Sequence, residues 1–284
     1  MARRVATLSR VTLRRRDHLT RLAHEHLDDD AAQRWLGLLR PAVQLVSAGA
    51  GDPVIARLGG TPALPHGTPW PQWPDNGPLS FVVEVDLAAL AASDLDPGLA
   101  LATEGRLLGF YFEDPEDTGA IVYAGDPGSL AGARLLHVTG TPPSADSAVE
   151  LTGRQVLTWP TWEHPVRDLL GLGEVLEPLD DVLMELLDED TGPDSWGHQL
   201  GGWVHPVQGP VELEAAETRL GEATYDEAHV AEAMRWRPLL QVGSDDAAGT
   251  SWGDEGCLYW LARTDGSTLP DLADPADIAF TWQC

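Results

Sequence analysis

The sequence predicts an α+β protein with a mostly antiparallel sheet, an N-terminal helix and two internally duplicated halves related by a pseudo-two-fold axis. Short apolar runs separated by Gly and Pro turns indicate many strands, and helical spacing is confined to a few segments. A set of short motifs also occurs twice in the same order, which indicates duplication. The predicted segments are residues 1–40 (a basic arm and helix), 41–165 (the first half) and 166–284 (the second half).

The N-terminal segment combines a basic arm with one predicted helix. Apolar residues such as Leu19 and Trp35 recur with helical spacing over residues 17–39, and Pro41 follows as a stop signal. Residues 1–40 contain nine Arg and five acidic residues. The arm is either a frayed terminus or a contact for the acidic remainder of the chain, for RNA or for a membrane.

The first half is predicted to contain most of the strands. They are expected at residues 41–46, 54–58, 79–85, 106–112, 120–123, 134–137 and 149–159. A short helix is predicted at residues 87–92, with Asp86 as its N-cap. Residues 59–78 form a loop rich in Pro and Gly, and its Trp70 and Trp73 would share one side of a polyproline II segment, which has three residues per turn.

The second half is predicted to begin with two helical pieces within residues 166–188. A loop rich in Gly and Trp follows around Gly201 and Gly202, and a further helix is expected at residues 222–234. The remaining predicted strands are residues 238–242, 257–262 and 278–282.

The repeat consists of a Gly-Gly turn, a buried strand and a Gly-led aromatic strand. Residues 58–60 and 200–202 both read Leu-Gly-Gly, and residues 81–86 correspond to residues 238–243. This correspondence places Glu84 and Gln241 at matching positions, where they would face each other if their strands were adjacent. Duplicated halves commonly form a groove, and grooves are where ligands bind.

The charge of the chain limits its partners. It has 18 Arg, no Lys and 45 acidic residues, for a net charge of −27. Such a field repels a phosphate backbone and attracts cationic proteins or peptides, so no nucleic-acid partner is expected. The sequence has two Cys and no apolar stretch of signal-peptide or membrane-span length. It therefore predicts a cytoplasmic protein without a membrane partner.

Four motifs resemble the YwqG-like family, also called domain of unknown function 1963. They are residues 58–71, with Leu-Gly-Gly, two prolines and Trp-Pro; residues 78–86; residues 198–208, with His198, Gly201, Gly202 and Gln208; and residues 239–256. The resemblance covers the chain from about residue 41 onwards and implies a duplicated α+β fold. It implies no activity. The family usually has Gln at the position of Glu84.

The segment from Ser244 to Gly256 is the first candidate site. Its carboxylates, Asp245, Asp246 and Asp254, are the type of ligand that a hard cation such as Ca²⁺ prefers. The spacing of an EF-hand loop is absent. The alternative is a hairpin in which the Asp and Gly residues serve the turn.

Acid–base chemistry is the second possibility. His198 and His205 could bind a metal or transfer protons, or could be hydrogen-bonded structural residues. Glu84 is either a hydrogen-bonded core residue or a general acid or base, because a buried Glu needs a partner or a raised pKa. No nucleophile elbow, phosphate loop or dinucleotide motif is present, and the cofactor stays unknown.

Two functional hypotheses follow. The first is a binding protein that holds a cationic protein or peptide, or a small molecule, in the groove between its halves. Its candidate ligand contacts are Trp70, Trp73, His205, Gln241 and Trp252. The alternative is a hydrolase or isomerase with Glu84, His198 and Asp254 as catalytic residues. Convergence of these three with Gln241 in one pocket would favour the enzyme.

Overall fold

A computed structural model describes residues 10–114, 119–144, 147–191, 197–221, 226–264 and 277–284. In these ranges the chain is α+β, with seven α-helices and a ten-stranded antiparallel sheet that closes almost completely on itself. The helices are α1 (Arg10–His26), α2 (Asp29–Leu36), α3 (Leu87–Ala92), α4 (Val166–Leu169), α5 (Glu177–Thr191), α6 (Val211–Leu220) and α7 (Glu227–Ala233). None of them is long and apolar enough to cross a membrane.

Twelve strands are present in the described residues. They are β1 (Arg40–Ser47), β2 (Ala56–Leu58), β3 (Gln72–Trp73), β4 (Gly77–Pro78), β5 (Ser80–Asp86), β6 (Arg106–Tyr111), β7 (Ala133–Val138), β8 (Val149–Thr158), β9 (His198–Gly201), β10 (Trp236–Gly243), β11 (Cys257–Arg263) and β12 (Ile278–Gln283). The pair β3–β4 is a small separate hairpin, and the other ten strands form the large sheet.

The order of strands across the large sheet is β12-β11-β10-β9-β1-β8-β2-β5-β6-β7. The central pair, β1 and β8, is antiparallel over eight registered residue pairs. On each side of it lies a short strand that ends in or just before Gly-Gly, and three longer strands follow. The edges of the sheet are β7 and β12.

One apolar cluster occupies the interior and takes side chains from all ten strands. Alternating residues supply it, because successive side chains of a strand point to opposite faces. The ring of Tyr111 on β6 stacks on that of Phe280 on β12, with centroids 5.2 Å apart, and Trp260 lies 5.1 Å from Phe280. These contacts close the inner layer where the backbones of β7 and β12 do not pair.

Two connections close the ends of the interior. The segment after β5 packs Leu87, Leu90 and Leu95 against the core, and Gln155 accepts a hydrogen bond from the Asp96 N–H at 2.6 Å. At the opposite end, the connection between β10 and β11 packs Trp252 against the same core. The outer face is covered by α1, α2 and α5 near β8 and by α6 near β11 and β12.

Several predicted elements differ from the structure. The single helix predicted at residues 17–39 is divided into α1 and α2, because Asp28 leaves the helical conformation and its carboxylate caps α2 through the Ala31 N–H at 2.8 Å. Residues 120–123 form no strand. The loop predicted around Gly201 contains β9, whose four residues pair with both β1 and β10. Helix α6 was not predicted. Residues 1–9, and residues 222–225 of the predicted helix at 222–234, lie outside the described residues.

Candidate functional site

Glu84 is a buried ionic centre on the outer face of β5. Its side chain is 1% exposed. The Arg57 Nη1 donates to its Oε1 at 3.4 Å, and the Arg106 Nε lies at the same distance. Its Oε2 accepts hydrogen bonds from the backbone and hydroxyl of Ser144 at 2.9 and 2.7 Å. The carboxylate is therefore engaged by two cations and two neutral donors.

Gln241 lies on β10 at 3% exposure, and its Nε2 donates to the Gly197 carbonyl at 3.2 Å. Four strands, β9, β1, β8 and β2, separate β10 from β5. The expectation that Glu84 and Gln241 face each other is therefore wrong. Their strands occupy matching places on opposite sides of the central pair and are not adjacent.

His198 begins β9 and pairs in register with Leu45 and Val242, whose side chains belong to the interior core. Its Nε2 lies 3.2 Å from the Asp245 Oδ2. The Asp245 Oδ1 accepts from the Ala248 N–H at 2.8 Å. The hydrogen bond with His198 is the main cause that lowers the pKa of Asp245. Asp245 thus joins an imidazole to a tight turn.

The other two carboxylates of the predicted metal site do not join Asp245. Asp246 and Asp254 are both exposed. Within the described ranges, no three His, Cys, Asp or Glu side chains are grouped closely enough to hold a metal ion. In the turn between β10 and β11, Asp245 makes local hydrogen bonds.

Two of the predicted aromatic contacts, Trp70 and Trp73, pack against rings of one cluster, and the third, Trp252, lies in the interior. Trp70 is 38% exposed, donates to the Leu79 carbonyl at 2.8 Å and packs edge-on against Phe110. Trp73 packs edge-on against Phe112. Trp252 is buried in the interior and donates to the Gly243 carbonyl at 3.2 Å.

His205 lies apart from these tryptophans. It lines a cavity of about 260 Å³ beside Trp162 and Met184. Glu84, His198, Gln241 and Asp254 do not share a cavity with it or with one another among the described cavities. The convergence that would favour an enzyme is not observed in the described residues.

A larger cavity lies between the two edges of the sheet. We call it the edge cleft, and its volume is about 710 Å³. Its residues come from β7, β12, β11, the end of α6 and the turn before β7. They are Pro127, Leu130, Ala131, Ala133, Arg134, Leu135, Leu136, Thr218, Arg219, Trp260, Ile278, Ala279 and Phe280.

The charge of the edge cleft is opposite to that of the chain. Its described lining residues include two Arg and no acidic residue, whereas the whole chain has 45 acidic residues and 18 Arg. Arg219 forms an ion pair with Asp277 at 3.1 Å. The Arg134 Nη1 donates to the carbonyls of Leu130 and Ala133 at 2.8 and 3.1 Å, and no ion pair joins Arg134 to any described carboxylate. Burial lowers the pKa of Arg134.

The walls of the edge cleft are strand edges. Strand β7 pairs with β6 alone and β12 with β11 alone, and in the described part of the chain neither makes a backbone hydrogen bond to a third element. Such edges present N–H and C=O groups that are available to another strand. The sequence could not reveal the edge cleft, because its pattern indicates strands but not which of them end the sheet.

A buried polar cluster outside the edge cleft was also missed. The His164 Nε2 lies 3.4 Å from the Glu212 Oε2, and both side chains are at most 4% exposed. The Arg40 guanidinium lies 3.2 Å above the Trp203 ring. Burial alone would raise the pKa of Glu212, but His164 and Arg40 together lower it. These residues lie far apart in the sequence and no motif connects them.

The sequence motifs that resemble a known family lie in the strands of the sheet and in the connections between them. No curated protein sequence matches the chain at significant similarity. Residues 56–284 match the family described as Domain of unknown function (DUF1963), which covers everything from β2 to the last residue. The chain belongs to this family, domain of unknown function 1963.

Proposed function

We propose that this protein is a binding protein that holds its ligand in the edge cleft. The observation that carries this proposal is a pair of strand edges that have no backbone partner among the described residues and lie on either side of a cavity lined by apolar side chains and Arg134. A cavity of about 710 Å³ falls within the range of roughly 300 to 1,000 Å³ that ligand sites occupy.

The lining of the edge cleft indicates the chemistry of the ligand. Apolar surface from Leu135, Ile278 and Phe280 favours an apolar body. Arg134 keeps its charge near neutral pH, and a half-buried guanidinium that contacts only carbonyls gains from an anionic group. The ligand of this cleft is therefore apolar with one anionic group. A cationic partner would fit the acidic surface elsewhere on the molecule.

The groove between duplicated halves is part of the same proposal. On each side of the central pair β1 and β8, the sheet continues with one short strand and then three longer ones. The short strands, β2 and β9, both carry the Leu-Gly-Gly motif. Glu84 pairs with Arg57 and Leu108, as Gln241 pairs with Gln199 and Tyr259. These correspondences support two related halves, with the edge cleft between their last strands.

Dye binding tests the proposal. Anilinonaphthalene sulfonate, an apolar dye with one sulfonate, is titrated into the protein while its fluorescence is followed. Saturable binding is expected, and Ala131→Trp should weaken it strongly because a large side chain would occupy part of the edge cleft. Arg134→Gln should weaken it about tenfold, which is about 1.4 kcal/mol.

The matched control is Ala247→Trp, which introduces the same side chain at an exposed position of the turn between β10 and β11. This variant should bind the dye like the unmodified protein. If Ala131→Trp also bound the dye normally, the edge cleft would not be the site and the proposal would be wrong.

A further inference from the structure

We propose that the edge cleft accepts an extended peptide segment of a partner protein, which pairs as an added strand and carries one carboxylate for Arg134. This inference rests on the proposed function, since it names the ligand of the same cleft. It defines the ligand by three properties: an extended backbone, apolar side chains on one face and a single acidic residue on the other.

The first argument is the backbone. Strands β7 and β12 have six residues each, and each has one neighbour in the sheet. Their outward N–H and C=O groups can be satisfied along the whole edge by another strand, and a lipid or an aromatic ligand offers no matching row of donors and acceptors. An extended peptide is therefore the class of ligand that can hydrogen-bond to both walls of the edge cleft.

The geometry of the sheet fixes the polarity of such a strand. All neighbouring strands of the sheet are antiparallel, so β12 and β7, at positions one and ten of the order, run in opposite directions. A single strand between them must be antiparallel to one edge and parallel to the other. Both ladder types are permitted, and the antiparallel one is the more stable.

The second argument is the floor of the edge cleft. Phe280 and Trp260 line it, and Phe280 is held by its stack with Tyr111. The side chains of Phe280 and Trp260 are both buried, so the floor is an apolar layer. Alternate apolar side chains of the peptide would pack on this layer.

The third argument is charge. Arg134 lies on β7 opposite Phe110, on the outer face, whereas its neighbours Ala133 and Leu135 belong to the interior cluster. A carboxylate on the outward face of the added strand would therefore meet Arg134. Since the chain has a net charge of −27, an acidic tract would be repelled over roughly a Debye length of 8 to 10 Å. One acidic residue among apolar and neutral residues meets both conditions.

Selection of peptides tests the inference without knowledge of the partner. Phage-displayed random peptides are selected on the full-length protein and counter-selected on Ala131→Trp. Enriched sequences should alternate apolar and polar residues with one Asp or Glu. Synthetic versions should bind at least tenfold more weakly to Arg134→Gln, and hydrogen exchange should slow at backbone amides of β7 and β12 when they bind.

Backbone methylation separates strand addition from other binding in the edge cleft. A selected peptide that is N-methylated at alternate residues loses the N–H groups of one edge, so its affinity should fall at least tenfold for each of the two methylation patterns. If either methylated form bound like the parent peptide, or if selection enriched nothing over Ala131→Trp while the dye still bound, strand addition would be wrong and the proposed function would stand. Absence of saturable dye binding by the unmodified protein would overturn both the proposed function and strand addition.

Discussion

The two sides of the sheet, left and right of the central pair β1 and β8, carry different types of polar residue on corresponding strands. On one side, Glu150, Arg57 and Glu84 lie next to one another across β8, β2 and β5, and we call them the ionic row. On the other, Gln44, Gln199 and Gln241 lie across β1, β9 and β10, and we call them the amide row. Both rows end in a buried residue on the third strand from the centre.

The difference shows what a buried charge requires. Gln241 is accommodated with a hydrogen bond to the Gly197 carbonyl. Glu84 at the matching position is surrounded by Arg57, Arg106 and Ser144. A neutral amide can be buried with a few hydrogen bonds, whereas a carboxylate must also be compensated in charge. The ionic row therefore depends on residues from several segments, and the amide row depends mainly on neighbouring backbone.

Truncation of the two end residues should give the largest contrast. Glu84→Ala leaves Arg57 and Arg106 beside a lost partner, and removal of one member of a buried ion pair costs about 3 to 5 kcal/mol. Gln241→Ala removes a neutral side chain and should cost about 1 to 3 kcal/mol. Urea unfolding followed by Trp fluorescence measures both. Equal losses in the free energy of unfolding would contradict the difference between the ionic row and the amide row.

Substitution of Glu84 by Gln separates the effect of its charge from the effect of its shape. Glu84→Gln keeps the shape and removes the charge, and should cost about 2 kcal/mol because charge-assisted hydrogen bonds become neutral ones. Combined with Arg57→Gln, the total loss should be about 1 kcal/mol smaller than the sum of the single losses, since the two residues interact directly. Additive losses in the same unfolding measurement would show that Arg57 and Glu84 are not coupled.

The smallest effect is expected for Asp245. This carboxylate lies just beyond the end of β10, on the same side of the sheet as the amide row. Its pKa is lowered when the protein is folded, so its carboxylate stabilises the fold at pH values above its ordinary value of about 3.9. That stabilisation is lost as the pH falls through the lowered pKa. Asp245→Asn should therefore cost about 1 kcal/mol at neutral pH, and the cost should shrink below about pH 4.

Unfolding curves at several pH values provide this measurement. Asp246→Asn is the matched control, because Asp246 is the adjacent carboxylate and is exposed. It should leave the free energy of unfolding within about 0.5 kcal/mol of the unmodified protein. A cost of Asp245→Asn that stayed constant down to acid pH would mean that the contact with His198 does not depend on the charge of Asp245.

Strands with strong local patterns were predictable, and those defined by their neighbours were not. Short apolar runs located β5, β10 and β11, because most side chains of these strands are buried. Strand β9 has only four residues, of which the last is Gly201, and it exists because β1 and β10 satisfy its backbone on both sides. Helix α6 was missed because several of its acidic residues are buried, including Glu212 and Glu217, which hides its amphipathic pattern.

The same reason applies to the candidate sites. Turn residues such as Asp245 and Gly253 were recognised because they lie within one short segment of the sequence. The edge cleft depends on β7 and β12 being the two ends of the strand order, and that order is set by pairing between distant segments. Arg134 was not singled out because its environment is defined by β12 and α6, which lie far from it in the chain.

The position of β1 has a consequence for how the chain reaches its fold. Its two neighbours are β8 and β9, and Arg40 pairs with Thr158, 118 positions later in the chain. Contacts between such distant residues form slowly because a long loop must close first. During synthesis β1 emerges early and stays without a partner until β8 and β9 have followed. The two sides of the sheet therefore complete their folding together, and a chain that ended after β7 would leave its first strand unpaired on both sides.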